Sequence, residues 1–149
     1  MTVLVREFEE ADREALRQVH VLSRRATFTW QPPEAHQASD FDECTQGERI
    51  LVAHRDGQPV GFAAIWEAED FLHSLFVHPA FLRQGVGKAL LDRCADHFRG
   101  TATLKCVKAN VNAQHFYLSQ GWTVWREEAD PDGVYLLMAK SFDGKALAP

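Results

Sequence analysis

The chain has 149 residues, 46% of them hydrophobic and 11% aromatic, with a formal net charge of −5. That suffices for one domain with an apolar core and excludes wholesale disorder, while the acidic balance argues against nucleic acid or an anionic membrane as partner, since both reward a basic footprint. Three widely spaced cysteines (Cys44, Cys94, Cys106), a start without signal-peptide character and no apolar run near the ~20 residues that cross a bilayer argue against a disulfide framework or a membrane span, so a cytoplasmic protein is expected.

Residues 3–8 alternate as a strand does. Ala15, Leu16, Val19 and Leu22 then recur at helical spacing behind an acidic first turn that suits the helix dipole. Pro32-Pro33 breaks any helix, and a short one is expected before Glu48. Residues 50–54 and 59–66 read as strands joined by the hairpin turn Arg55-Asp56-Gly57-Gln58, and 71–77 as a third. A helix carrying Val86, Leu90, Leu91, Cys94 and Phe98 follows, with Gly100 placed as its C-cap. Residues 101–108 read as a strand and 112–120 as a short helix closed by Gly121. Two strands near 122–127 and 134–140 flank the turn Asp130-Pro131-Asp132-Gly133, and a frayed tail is expected from about 142. This mixed order predicts an α/β layer fold in a single domain over 1–149.

The stretch Leu75-Phe76-Val77-His78-Pro79-Ala80-Phe81-Leu82-Arg83-Gln84-Gly85-Val86-Gly87-Lys88 runs from strand through loop into an amphipathic helix. Glycines at a helix start let backbone approach a ligand, and the first amides of the helix, unpartnered and at the positive end of its dipole, favour an anion. A Walker loop fails here on Leu82 and Ala89, and a dinucleotide fingerprint fails on Leu90. By themselves the glycines are equally consistent with a turn that merely eases packing. Downstream stands Asn110-Val111-Asn112-Ala113-Gln114-His115-Phe116-Tyr117, ending in Gly121-Trp122. Asn112 as N-cap, Gly121 as C-cap and Phe116 as core would explain most of it structurally.

Taken together, the two stretches resemble the GNAT (GCN5-related) N-acetyltransferases. Val77, Pro79, Gly85 and Gly87 match that family's first motif, with Leu82 in place of Arg or Gln. Asn110, Ala113, Phe116, Tyr117 and Gly121 match its second, with Trp122 for the usual Phe, and Asn112 equally fits the family's asparagine. The resemblance implies a three-layer fold with a mixed, mostly antiparallel sheet flanked by helices, a homodimer, and acetyl-CoA as co-substrate. It assigns coenzyme A to Leu75, Phe76 and Val77 on the strand, to Arg83, Gln84, Gly85, Val86, Gly87 and Lys88 in the loop, and to Asn112 and Phe116 on the later helix. The pantetheine is expected between two splayed strands, paired with backbone at Leu75 and Val77.

The implied activity is transfer of an acetyl group from the thioester to the primary amine of a small molecule. Tyr117, by its match, is the candidate general acid beside the sulfur. His73 is the candidate base, because histidine is the side chain type suited to proton transfer near neutral pH. Part of the family carries a similar histidine-containing strand, with a second histidine where Phe71 stands here. Asp70, Glu69 and Glu67 are alternatives, and His78 is expected to face the loop surface. No metal site is expected, because no paired ligand spacing occurs. Cys106 as an acyl-enzyme nucleophile is set against the commoner fate of a buried cysteine.

For the acceptor, the segment after the first helix offers Phe28 or Trp30 as a wall and Asp40 or Glu48 as a charge partner, whereas Arg24 and Arg25 would suit an acidic substrate. The alternatives to an enzyme are an acyl-CoA-binding sensor without turnover, and an interaction domain with no coenzyme site.

Overall fold

The computed structural model describes residues 2–142, and the tail expected from about 142 lies outside them apart from its first residue. At its centre are two strands whose sequences are apolar almost without a break. β2 (Arg49–Arg55) buries Ile50 to Ala53, and β3 (Gln58–Trp66) buries every residue from Val60 to Ile65. Strands of this kind need cover on both faces. The turn between them is the expected hairpin, with Asp56 (φ 51) and Gly57 (φ 80) both left-handed, as a type I′ turn requires.

β1 (Leu4–Glu7) pairs antiparallel with β2, and β4 (Phe71–Val77) pairs antiparallel with β3. β5 (Thr101–Val107) runs parallel to β4. Beyond it, β7 (Gly133–Ser141) and the edge strand β6 (Thr123–Asp130) restore antiparallel pairing, giving the order β1-β2-β3-β4-β5-β7-β6. One face is covered by α1 (Arg13–Thr27) and α2 (Asp40–Cys44), where Leu16, Val19 and Phe41 pack on Val52, Phe62 and Ala64. The other is covered by α3 (Val86–Cys94) and α4 (Val111–Ser119), whose Val86, Leu90, Leu91 and Tyr117 meet Leu51, Ala63, Ile65 and Leu104. The fold is therefore the expected three-layer α/β arrangement around a mixed, mostly antiparallel sheet.

Two expectations of the sequence need correction. Leu22 was assigned to the apolar face of α1 but is 37% exposed, and His20, Val21 and Ser23 are buried with Leu16 and Val19 instead. Three rings surround His20, with centroids at 6.2 Å (Phe41), 5.8 Å (Phe62) and 5.0 Å (Phe76), so aromatic packing draws a polar residue inward. Gly100 does not cap the helix: α3 ends at Cys94 in a single 3-10 turn (Ala95–His97), and the Gly100 amide donates to the Asp70 carboxylate at 3.0 Å. Among the described residues no helix is long and apolar enough to cross a membrane.

Candidate active site

β4 and β5 pair only at Phe71–Thr103 and Leu72–Leu104. Beyond Leu72 they part, each held on its outer side alone, β4 by β3 as far as Val77 and β5 by β7 as far as Val107. The gap starts at an irregularity in β4. Ala64 pairs with Ser74 and the adjacent Ile65 with Leu72, so His73 has no partner on β3 and is the extra residue of a β-bulge. A bulge bends its strand and re-aims a side chain. The His78 amide donates to the Val60 carbonyl at 2.8 Å, which fixes the alternation along β4. Phe76 therefore turns its peptide groups to β3, whereas those of Leu75 and Val77 face the gap. The backbone groups of Leu75 and Val77 are thus free of the β3 ladder. Those of Phe76, which the resemblance assigned to coenzyme A, are not: its backbone belongs to the β3 ladder, and its ring lies with His20 and Phe62 on the α1 side.

The loop after β4 makes one 3-10 turn at Pro79–Phe81, where His78 Nδ1 accepts the Ala80 amide at 3.0 Å. Left-handed residues at Arg83 (φ 62) and Gly85 (φ 82) then lead into α3, with Gly85 as its N-cap. The Ala89 amide, donating to the Gly85 carbonyl, is the first inside the helix, so the amides of residues 85–88 have no partner within it. A Cβ built on Gly85 would meet nothing within 4 Å, leaving the approach to these amides open. An anion of diphosphate size fits such a terminus. Arg83 and Gln84 are exposed, Val86 is buried beneath the helix start, and Lys88 pairs with Asp92 at 2.7 Å. Arg55, read in the sequence only as part of a hairpin, hydrogen-bonds Gln84 and lies 5.7 Å from the Phe81 ring centroid, adding a cation beside the loop. No local sequence signal tied residue 55 to residue 84.

α4 begins one residue earlier than expected, and its N-cap is Asn110, which accepts the Ala113 amide at 3.2 Å. Asn112 is therefore not the cap: it lies in the first turn with its side chain exposed. Phe116 packs on Gly87, joining α4 to the start of α3. Tyr117 is buried against Trp122, and burial, followed by the nearby Cys106 and Cys94, pushes its phenol pKa well above the usual value. Burial also pushes the Cys106 thiol up to about 11, which removes the thiolate an acyl-enzyme route needs at neutral pH.

His73 is exposed, and its Nδ1 lies 3.0 Å from Oε1 and 2.8 Å from Oε2 of Glu48. Its ring stacks on Phe71 at 6.0 Å. Two of the alternative bases are engaged elsewhere: Asp70 accepts the Gly100 amide, and Glu67 pairs with Arg49 at 2.9 Å. In the acceptor segment, Phe28 and Trp30 meet edge to face at 5.4 Å and Trp30 is half exposed. Asp40, expected as a charge partner for a substrate, accepts from the Gln37 amide (2.9 Å) and from Arg24 (2.8 Å), which hold its carboxyl below the usual range. Arg25 is spent on the Pro33 and His36 carbonyls. His36 is buried with both ring nitrogens unpartnered among the described residues, a feature with no sequence signal. Among the described residues no group of three His, Cys, Asp or Glu side chains is placed to hold a metal.

Known proteins resemble this chain in sequence and in fold. An "Uncharacterized N-acetyltransferase" of Archaeoglobus fulgidus is 33% identical over 84 residues, covering 48% of this chain and 57% of the relative. Peptidyl-lysine N-acetyltransferase YiaC of Escherichia coli is 33% identical over 81 residues, covering 52% of this chain and 54% of the relative. The aligned part thus spans somewhat more than half the length of each of these curated relatives. The fold is similar to that of the PaiA N-acetyltransferase from Thermoplasma acidophilum, solved in complex with coenzyme A (TM-score 0.77, 19% identity, 95% of this chain and 99% of that one). The model of the acetyltransferase (GNAT) family matches residues 13–122, a span that holds the splayed strands, the glycine loop and α4, and the chain belongs to that family.

Proposed function

We propose that the protein is an acetyl-CoA-dependent N-acetyltransferase acting on the primary amine of a small molecule. The observation that carries this reading is the gap between β4 and β5 beyond Leu72, opening beside the free amides of the α3 N-terminus. A diphosphate on residues 85–88 and a pantetheine arm along Leu75 and Val77 would occupy neighbouring parts of one groove. Arg83, Gln84 and Arg55 flank the diphosphate, Phe116 supports the loop through Gly87, and Asn112 lies on the exposed first turn of α4.

When bound, acetyl-CoA supplies the activated thioester. His73 takes a proton from the acceptor ammonium, directly or through water, leaving the amine free to form the new C–N bond as the C–S bond breaks. Tyr117 gives its proton to the departing sulfur and takes back, directly or through water, the second proton that the attacking nitrogen sheds as the amide forms. A phenol is protonated at neutral pH, as an acid must be. Phe28 and Trp30 wall the acceptor, and Asp40 acts there through Arg24. The three free cysteines accord with a reducing, cytoplasmic setting, and a homodimer belongs to the same reading.

A second acceptor class, the lysine side chain of a protein, is favoured by the similarity to YiaC, and lysine is itself a primary amine. Thermal unfolding with and without acetyl-CoA tests the reading first, because a ligand bound only to the folded state raises apparent stability. A rise in Tm followed by free-thiol release with amines or lysine peptides supports it. No rise at millimolar ligand moves the protein to the class of interaction domains. A rise without thiol release for any acceptor moves it to non-catalytic acyl-CoA binders.

A further inference from the structure

We propose that Glu48 is a positioning residue which fixes the tautomer of His73, so that Nε2 is the proton acceptor. This rests on the reading of His73 as the base. Three observations lead to it. The first is contact: Nδ1 of His73 reaches both Glu48 oxygens, at 2.8 and 3.0 Å. The second is asymmetry of burial: the Glu48 side chain is 6% exposed and that of His73 is 42%. A carboxylate so far removed from water needs a donor, and the described hydrogen bonds and ion pairs of the Glu48 side chain are all with this ring. Nδ1 therefore carries the proton toward Glu48, and the lone pair is left on Nε2.

The third observation is that both partners are held in place. The Glu48 amide donates to the Thr45 carbonyl at 3.0 Å, and the Thr45 hydroxyl donates to the Phe41 carbonyl at 2.7 Å, so the turn from α2 into β2 is fixed. His73 sits in the bulge, one residue past the last β4–β5 pair, with Phe71 stacked on its ring. The carboxylate thus arrives from the start of β2, 25 residues away in sequence, and turns the imidazole at the point where the strands part.

The test has a spectroscopic arm and a kinetic arm, both on the full chain. Long-range proton–nitrogen correlation on 15N-histidine protein, at about pH 8.5 where an ordinary imidazole is neutral, reports which nitrogen of His73 is protonated. We expect Nδ1–H in the wild type and a change toward Nε2–H in Glu48→Leu. A wild-type ring protonated on Nε2, or one unchanged by the substitution, overturns the proposal whatever the activity. In the kinetic arm, Glu48→Leu lowers kcat by roughly tenfold or more with KM for acetyl-CoA unchanged, because a misaligned base forfeits part of the 10²–10⁴-fold that such catalysis supplies. Glu48→Gln, whose amide oxygen can still accept from Nδ1–H, recovers part of that loss. Unchanged kcat in Glu48→Leu alongside a large loss in His73→Ala rejects the positioning role while the base survives. Unchanged kcat in both variants removes the base, and the positioning role falls with it.

Discussion

Gly87 lies directly against the ring of Phe116: a Cβ added to Gly87 would stand 3.1 Å from Phe116 Cζ. The two loop glycines therefore serve different ends, since Gly85 has open space and is fixed by its left-handed backbone, whereas Gly87 is fixed by a neighbour on α4. Gly85→Ala should cost about 1–2 kcal/mol of stability from backbone strain alone. Gly87→Ala should change stability by less than about 1 kcal/mol, because a helix-propensity gain of about 1 kcal/mol offsets the displaced ring. Urea unfolding of the two variants separates these causes. Gly85→Glu, which sets a carboxylate among the free amides, should weaken acetyl-CoA binding by at least about tenfold, or 1.4 kcal/mol, in calorimetric titration.

Tyr117→Phe removes one hydroxyl from a ring that otherwise stays packed on Trp122 and Phe116. Turnover should fall by roughly 10²-fold or more if the phenol is the acid, with acetyl-CoA affinity and urea midpoint little changed. Steady-state kinetics at saturating acceptor checks this, and equal kcat rejects the role.

His20 gives the folded protein an acid sensitivity. Burial among Phe41, Phe62 and Phe76, followed by the positive charge of Arg24, lowers its pKa from 6.5 to about 4. Above pH 6.5 the ring is neutral in both states and the stability is fully present. As pH falls below 6.5 the unfolded chain takes up a proton that the folded chain refuses until about pH 4, so stability is lost through that window. The loss amounts to roughly 3 kcal/mol. His36, lowered mainly by burial, acts in the same direction. Urea midpoints at pH 7.5 and 5 should differ less in His20→Leu than in the wild type.

Trp30 is half exposed and touches Phe28 at the end of α1. Trp30→Ala should shift stability by no more than about 0.5 kcal/mol, as surface substitutions do, while raising KM for the amine and leaving KM for acetyl-CoA alone. An unchanged KM for every acceptor tested places the acceptor elsewhere.

How much of this was legible in the sequence differs from residue to residue. The strand, loop and helix around Gly85 were readable because β4, the turn and α3 are local: apolar alternation, a proline and two glycines lie within about one motif of each other. Asn112 was misjudged as the cap for a different reason, since Asn110 and Asn112 both have cap chemistry and only the path of the chain from β5 decides between them. Phe76 has its backbone in the β3 ladder, a pairing across the sheet that the sequence of β4 alone does not specify.

By itself the sequence determined the element order, the two central strands and the glycine turn at a helix start. All of these follow from short-range periodicity and backbone preference. Only the tertiary structure decided that β4 and β5 part after Leu72, that Glu48 meets His73, that Arg55 reaches Gln84, and that Asp40 is taken by Arg24. Each of these pairings joins residues 16 or more apart, and the partner is chosen by how the layers pack over the sheet, which no local pattern specifies.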